Sequence, residues 1–177
     1  MFSWRITKYN PAYREKNNRY TKCEWTSISD IGKVFNGKEL DIRDYLAVED
    51  LYTQAVITFM DCLAITSLRV KNLEKKRNNP ELDRTPNLYS QEMGRFYHSL
   101  QDNIRLNKRE IQYLCRCALR EQLWCKLEKE NTMFVHFGYD YYMYIGSNDK
   151  CEEAIRTITN MGLFVEKFES PYSAAYM

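Results

Sequence analysis

Two short segments near the carboxyl end of the sequence, TMFVHF (132–137) and YYMYIG (141–146), constrain the fold more than any other part of it. Each alternates its side chains over two faces as a β-strand does, and both faces are apolar or aromatic. A strand pair with one face in water normally shows a polar side. We therefore expect a central β-hairpin whose second face is covered either by helices or by a binding partner.

The residues between the two segments predict a tight turn. Gly138 and Tyr139 fit the central positions of a type II′ turn, which takes glycine first, and Phe137 would then face Asp140. The predicted faces carry Met133, Val135, Phe137, Tyr142 and Tyr144 on one side, and Phe134, His136, Tyr141, Met143 and Ile145 on the other.

Local patterns elsewhere combine strands with helices. FSWRITKY, SLRVKNL and GLFVEKF read as strands, and NDKCEEAIRTITNM as a helix with Asn148 or Asp149 as its cap. Asp41 is a suitable N-cap for an amphipathic helix that runs to about Ile65. A second helix is expected over 87–103. An Asn107–Glu110 capping box opens a third, long helix over 108–128.

These elements predict a single α+β domain over 1–177, with a mixed sheet of about five strands, four main helices and a carboxyl-terminal ββαβ unit. The polar segment 74–87 is expected to be an exposed loop. CEWTSIS (23–29) fits a further strand. DIGKVFNG (30–37) favours a short helix closed by Gly37, with a hairpin turn at Asn36-Gly37 as the alternative.

Composition and motifs narrow the classes of function. The net charge is only +2, whereas proteins that mainly grip a phosphate backbone carry a clear basic excess. MFSWRITKY lacks the apolar run of a signal peptide, so we expect a cytoplasmic protein whose six cysteines are free thiols. No cofactor, phosphate-binding, metal-ligand or nucleophile motif is present, so no cofactor and no metal are expected.

Two groups of residues are candidates for a partner-binding surface. Tyrosine supplies a large contact area at low entropic cost, which favours the hairpin residues Tyr139, Asp140, Tyr142 and Tyr144. Arg109, Arg116 and Arg120 form a stripe on one side of the long helix. The simpler interpretations are a hairpin that only fills the core and a stripe that is only a solvated helix face.

Two other functions remain open at this point. Single-stranded nucleic acid could bind through the 132–146 hairpin, with the arginine stripe contacting phosphates. A small enzyme could use His136, or Glu49, which falls near the apolar stripe of its helix and would titrate abnormally if half-buried.

Three segments taken together, LREQLWCKLE, FGYDYYMYIGS and GLFVEKFESPY, give the chain a resemblance to small bacterial immunity proteins of polymorphic and contact-dependent toxin systems. The resemblance lies in size, aromatic richness and the carboxyl-terminal ββαβ unit. It implies a non-enzymatic, cytosolic inhibitor that binds a toxin and blocks it by steric occlusion. The expected partner is therefore a protein, with no membrane involved.

Overall fold

The computed structural model describes residues 1–76 and 88–173. The strands are β1 (Phe2–Thr7), β2 (Val34–Phe35), β3 (Lys38–Glu39), β4 (Ser67–Lys75), β5 (Arg105–Asn107), β6 (Leu123–Lys129), β7 (Met133–Phe137), β8 (Met143–Ser147) and β9 (Phe164–Lys167). The α-helices of the described residues are α1 (Ile42–Cys62), α2 (Gln91–Ser99), α3 (Lys108–Leu119) and α4 (Glu152–Asn160). The α+β class and the four main helices are confirmed, and the strands outnumber the five expected.

Seven strands form one sheet in the order β5-β4-β6-β7-β8-β1-β9, and β2 and β3 form a separate ribbon. Each of the six pairings in the large sheet is antiparallel, whereas the sequence predicts a mixed sheet. The predicted ββαβ order is present as β7-β8-α4-β9. Helix α4 connects β8 to β9, which run parallel to each other. Because β1 lies between these two strands, they do not pair directly.

The helices cover one face of the sheet. Buried side chains from all four helices share a single core with strand residues such as Leu68, Leu127 and Val135. Asp41 caps α1 by accepting from the backbone N–H of Asp44, and Asn107 and Glu110 form the predicted capping box of α3. No described helix is long and apolar enough to cross a bilayer.

The register of the central hairpin differs from the predicted one. Phe137 pairs with Met143 and not with Asp140, so β8 is displaced by three residues. An odd displacement moves every side chain of a strand to the other face. Met143 and Ile145 therefore lie with Val135 under the helices. The ring of Phe134 lies over Gly146 on the opposite face, so close that a Cβ there would come within 2.0 Å of a ring carbon.

The face without helices is covered in its centre by residues 168–173. The Tyr172 ring contacts the rings of Trp124, His136 and Tyr144, at centroid distances of 5.8, 6.1 and 6.0 Å. Lys126 Nζ donates to the carbonyl of Tyr172 over 2.8 Å. The apolar hairpin thus has its second face covered by the chain itself, which is neither of the two covers expected from the sequence.

The long helix predicted over 108–128 is wrong in its second half. It ends at Leu119 in a Schellman motif, in which the N–H groups of Gln122 and Glu121 donate to the carbonyls of Cys117 and Ala118. Glu121 takes the left-handed position at φ +58°, where glycine is the usual signal. The chain then continues as β6.

The structure also differs from the predictions for three segments that connect the main helices and strands. CEWTSIS forms no strand, and its end enters a 3₁₀ turn over Ile28–Asp30. The favoured short helix at DIGKVFNG is wrong. The alternative is found, a hairpin turning at Asn36 and Gly37, both at positive φ. Of the predicted loop 74–87, positions 74 and 75 belong to β4, position 76 is exposed, and 77–87 lie outside the described residues.

Candidate functional site: the Tyr139 loop

The loop between β7 and β8, residues 138–142, presents the most exposed aromatic side chain of the described residues. We call it the Tyr139 loop. Tyr139 is 85% exposed, while the next two residues, Asp140 and Tyr141, take left-handed φ values of 54° and 62°. Such a conformation is costly for a bulky residue and persists only where the surroundings impose it.

Hydrogen bonds from distant parts of the chain hold this conformation. Tyr9 Oη donates to the carbonyl of Asp140 over 2.8 Å, and Tyr52 Oη donates to the carbonyl of Tyr141 over 2.7 Å. Within the loop, the Tyr142 N–H donates to the Tyr139 carbonyl over 3.1 Å. The loop is therefore fixed before any partner arrives.

The side chain of Tyr141 anchors the loop in the core. It is 4% exposed and lies against the rings of Trp25, Tyr45 and Tyr52, with centroid separations of 4.9, 5.8 and 5.0 Å. Burial raises the pKa of Tyr141 well above its ordinary value, so the phenol stays uncharged. One tyrosine of the loop thus points inward and its neighbour Tyr139 points out.

The other predicted hairpin residues differ in how available they are. Asp140 is exposed at the tip. Tyr142 is half-buried, packs on Tyr9 and accepts a hydrogen bond of 2.9 Å from Arg14 Nη1. Tyr144 is only 8% exposed, under residues 168–173. Tyr139 and Asp140 are therefore the part of the predicted hairpin set that a partner can reach.

A cleft of about 650 Å³ opens beside Tyr139. Its apolar and aromatic lining comprises Ala118, Leu119, Leu123, Trp124, Phe137, Tyr139, Tyr141 and Tyr172. Its charged lining comprises Glu74, Lys75, Lys76, Glu121 and Asp140. Trp124 is fixed there because its Nε1–H donates to the carbonyl of Phe137 over 2.9 Å. The cleft has the size and the apolar character of sites that accept a side chain or small ligand.

The three arginines of the predicted stripe do not line this cleft. Arg120 is 3% exposed and makes two hydrogen bonds of 2.6 Å to the carboxylate of Glu49, so a partner cannot reach it. Arg116 is half-buried and pairs with Asp50 over 2.8 Å. Arg109 is exposed and pairs with Glu92 over 2.5 Å. Of the predicted stripe, only Arg109 and Arg116 can be reached from solvent.

The two residues named for an enzymatic alternative are placed in the interior. Glu49 is fully buried and bound to Arg120. His136 is 2% exposed, and its Nδ1 lies 2.8 Å from Ser170 Oγ. Burial, together with the charge of Lys126, lowers the pKa of His136 to about 3. His136 thus meets a hydroxyl, and the cleft beside Tyr139 includes neither His136 nor Glu49.

The surface named for nucleic acid is also enclosed. The alternative requires bases to stack on the hairpin rings, but helices cover one face and residues 168–173 cover His136 and Tyr144 on the other. Phe134 stacks on His136 with centroids 4.4 Å apart. With Arg120 buried as well, that surface offers no continuous stacking platform.

Comparison with known proteins adds no relative, since no family model, curated protein or solved structure gives a significant match to the chain.

The sequence predicts Tyr139 and Asp140 as surface candidates but gives no local sign of the residues that position them. Tyr9, which lies two residues after the end of β1, and Tyr52 of α1 both reach the loop, and Tyr172 lines the cleft. Their sequence separation from the loop leaves no local signal. An indirect signal is the number of tyrosines, 14 in the chain, because each buried hydroxyl requires a partner.

Proposed function

We propose that this protein is a non-enzymatic, cytosolic protein-binding module that inhibits its partner by steric occlusion, in the manner of the immunity proteins it resembles. The observation that carries the proposal is the exposure of Tyr139 on a loop whose conformation is already imposed. A rigid, exposed aromatic ring beside an apolar cleft is the arrangement typical of binding hot spots.

The cleft indicates what the partner presents. An apolar side chain would pack there against Trp124 and Tyr172, which line the cleft. The carboxylates of Glu74, Glu121 and Asp140 also line it, and one of its two lysines, Lys75, already donates to the carbonyl of Tyr97 over 2.7 Å. The complementary partner segment is therefore an apolar residue flanked by a basic one.

The test begins with the product of the gene next to the one that encodes this protein, because immunity proteins are encoded beside their toxins. The two purified proteins are mixed and the Kd is measured by calorimetry. Tyr139→Ala should weaken binding by about thirtyfold or more, which corresponds to the loss of a hot-spot side chain of ~2 kcal/mol. Asp140→Asn should weaken it less.

Tyr13→Ala is the matched control, since Tyr13 is also an exposed tyrosine, at 43%, and does not line the cleft. It should leave the Kd within about twofold. Unchanged affinity after both Tyr139→Ala and Asp140→Asn, or a complex that leaves the partner fully active, contradicts the proposal.

A further inference from the structure

Cys62 meets two residues that are remote from it in sequence, Asp149 and Cys151, at the end of the sheet opposite the Tyr139 loop. Cys62 is the last residue of α1, and Cys151 is the N-cap of α4. The two sulfurs and a carboxylate oxygen of Asp149 all lie within 4.8 Å of one another. From this juxtaposition we infer that Cys62, Asp149 and Cys151 bind a thiophilic divalent cation of the Zn²⁺ class.

The spacing suits a tetrahedral metal ion. Zinc binds sulfur at about 2.3 Å and carboxylate oxygen at about 2.0–2.2 Å, so two thiolate ligands of one ion stand about 3.8 Å apart. The three ligand atoms, all within 4.8 Å of one another, stand close to that separation, and the exposed Cys62 side chain has room to adjust. Thiolate ligands select Zn²⁺ over the hard ions Mg²⁺ and Ca²⁺.

The surroundings orient two of the three ligands. The backbone N–H of Cys151 donates to Asp149 Oδ1 over 2.8 Å, which directs that carboxylate to the cluster. Ser147 Oγ lies 3.9 Å from Cys151 Sγ and adds a polar neighbour to the buried sulfur. Cys151 is 2% exposed whereas Cys62 and Asp149 face solvent, so an ion can enter from water and remain against a fixed inner ligand.

Binding of the cation releases protons from the two thiols. The cation displaces one proton from each thiol into the solvent, and two thiolates and one carboxylate then surround it. Three protein ligands leave the fourth tetrahedral position for water or for a donor atom of another molecule. Because the ligands join the end of α1 to the start of α4, the ion also links two helices of the same layer.

The test uses Co²⁺ alone as the probe, and Co²⁺ is added to the protein in a buffer that contains a phosphine reductant. We expect one equivalent to produce the thiolate-to-cobalt absorption band, and Zn²⁺ to abolish the band by competition. Cys62→Ser and Cys151→Ser should each weaken Co²⁺ binding by at least about a hundredfold, more than the loss of an outer-sphere partner costs. Asp149→Asn should weaken it less while keeping the band.

Cys23→Ser is the matched control because Cys23 is the other exposed cysteine among the described residues. It should bind Co²⁺ as the unaltered protein does. A second readout is thermal unfolding, in which Zn²⁺ should raise the Tm of the unaltered protein and of Cys23→Ser but not of Cys62→Ser.

Three outcomes would overturn the inference. They are Co²⁺ binding that survives Cys62→Ser, the absence of the absorption band in the reduced protein, and a pair of thiols that only forms a disulfide. The site lies at the far end of β8 from the Tyr139 loop, so its failure leaves the proposed binding function untouched.

Discussion

At the scale of single residues, the interior of this protein holds polar groups whose charge state depends on their position. His136 lies between Phe134 and Tyr172, and within the described residues its Nε2 has no hydrogen-bond partner. A buried imidazole without a partner for its second nitrogen resists protonation, because the charge would be formed away from water. The consequence is a dependence of stability on pH.

The pKa of His136 is lowered to about 3 in the folded protein, against an ordinary value of 6.5. Below pH 6.5 the unfolded chain therefore binds a proton that the folded protein does not. The contribution of His136 to stability is complete above that pH and is lost progressively as the pH falls towards 3. Between pH 7.5 and 5 we expect a loss of roughly 1 to 2 kcal/mol from this residue.

Urea unfolding at the two pH values measures this loss. His136→Gln should show a smaller difference between pH 7.5 and 5 than the unaltered protein does, because glutamine does not titrate. His98→Gln is the control, since His98 is the other histidine and is exposed. An equal pH dependence in the His136→Gln protein would show that this imidazole titrates normally.

At the scale of elements, local signals predict the starts of α1 and α3 but not that of α4, whose N-cap is Cys151 and not the predicted Asn148 or Asp149. Asp41 and the Asn107–Glu110 pair are capping residues whose effect depends on the next three residues alone, and both are confirmed. The end of α3 depends on Glu121 in a left-handed conformation, for which a glutamate gives no signal. The predicted helix therefore ran on into β6.

The register of the hairpin is also predicted wrongly because its turn depends on left-handed residues that have no local sequence signal. The sequence offers Gly138 as the turn residue, but the turn is made by Asp140 and Tyr141 at positive φ. Hydrogen bonds from Tyr9 and Tyr52, which are remote in sequence, stabilise that turn. The exposed ring of Tyr139 could thus be predicted, whereas the geometry of its loop depends on contacts that only the folded chain makes.

Glu121→Gly should stabilise the protein, because glycine adopts the left-handed conformation at C′ of α3 without steric cost. We expect the free energy of unfolding to rise by about 0.5 to 1 kcal/mol. Glu121→Ala, which removes the carboxylate but keeps the unfavourable φ, should change it by less. A glycine variant less stable than the alanine variant, measured in urea, would contradict this account of the helix end.

At the scale of the whole molecule, the sheet has two different covers. Four helices cover one face, and on the other the centre lies under residues 168–173. The α+β class and the carboxyl-terminal ββαβ order could be predicted because they follow from periodicity. The cover over the second face could not, since FESPY carries no periodic pattern that would connect Tyr172 to Trp124 or Tyr144.

Removing the Tyr172 ring should uncover this face. We expect Tyr172→Ala to lower the free energy of unfolding by about 1 to 2 kcal/mol, from the half-buried ring and its aromatic contacts. Tyr172→Phe keeps the ring and should retain most of the stability. Equal stability of the alanine and phenylalanine variants in urea would mean that the Tyr172 ring does not fix residues 168–173 against the sheet.

The position of β1 between β8 and β9 has a consequence for synthesis in the cell. The strand FSWRIT leaves the ribosome long before either of the strands that flank it, and its apolar side chains Trp4 and Ile6 have no sheet to join until then. Closure of the sheet must therefore follow translation of the carboxyl-terminal third. Nascent chains that stop before β8 should depend on chaperones to remain in solution.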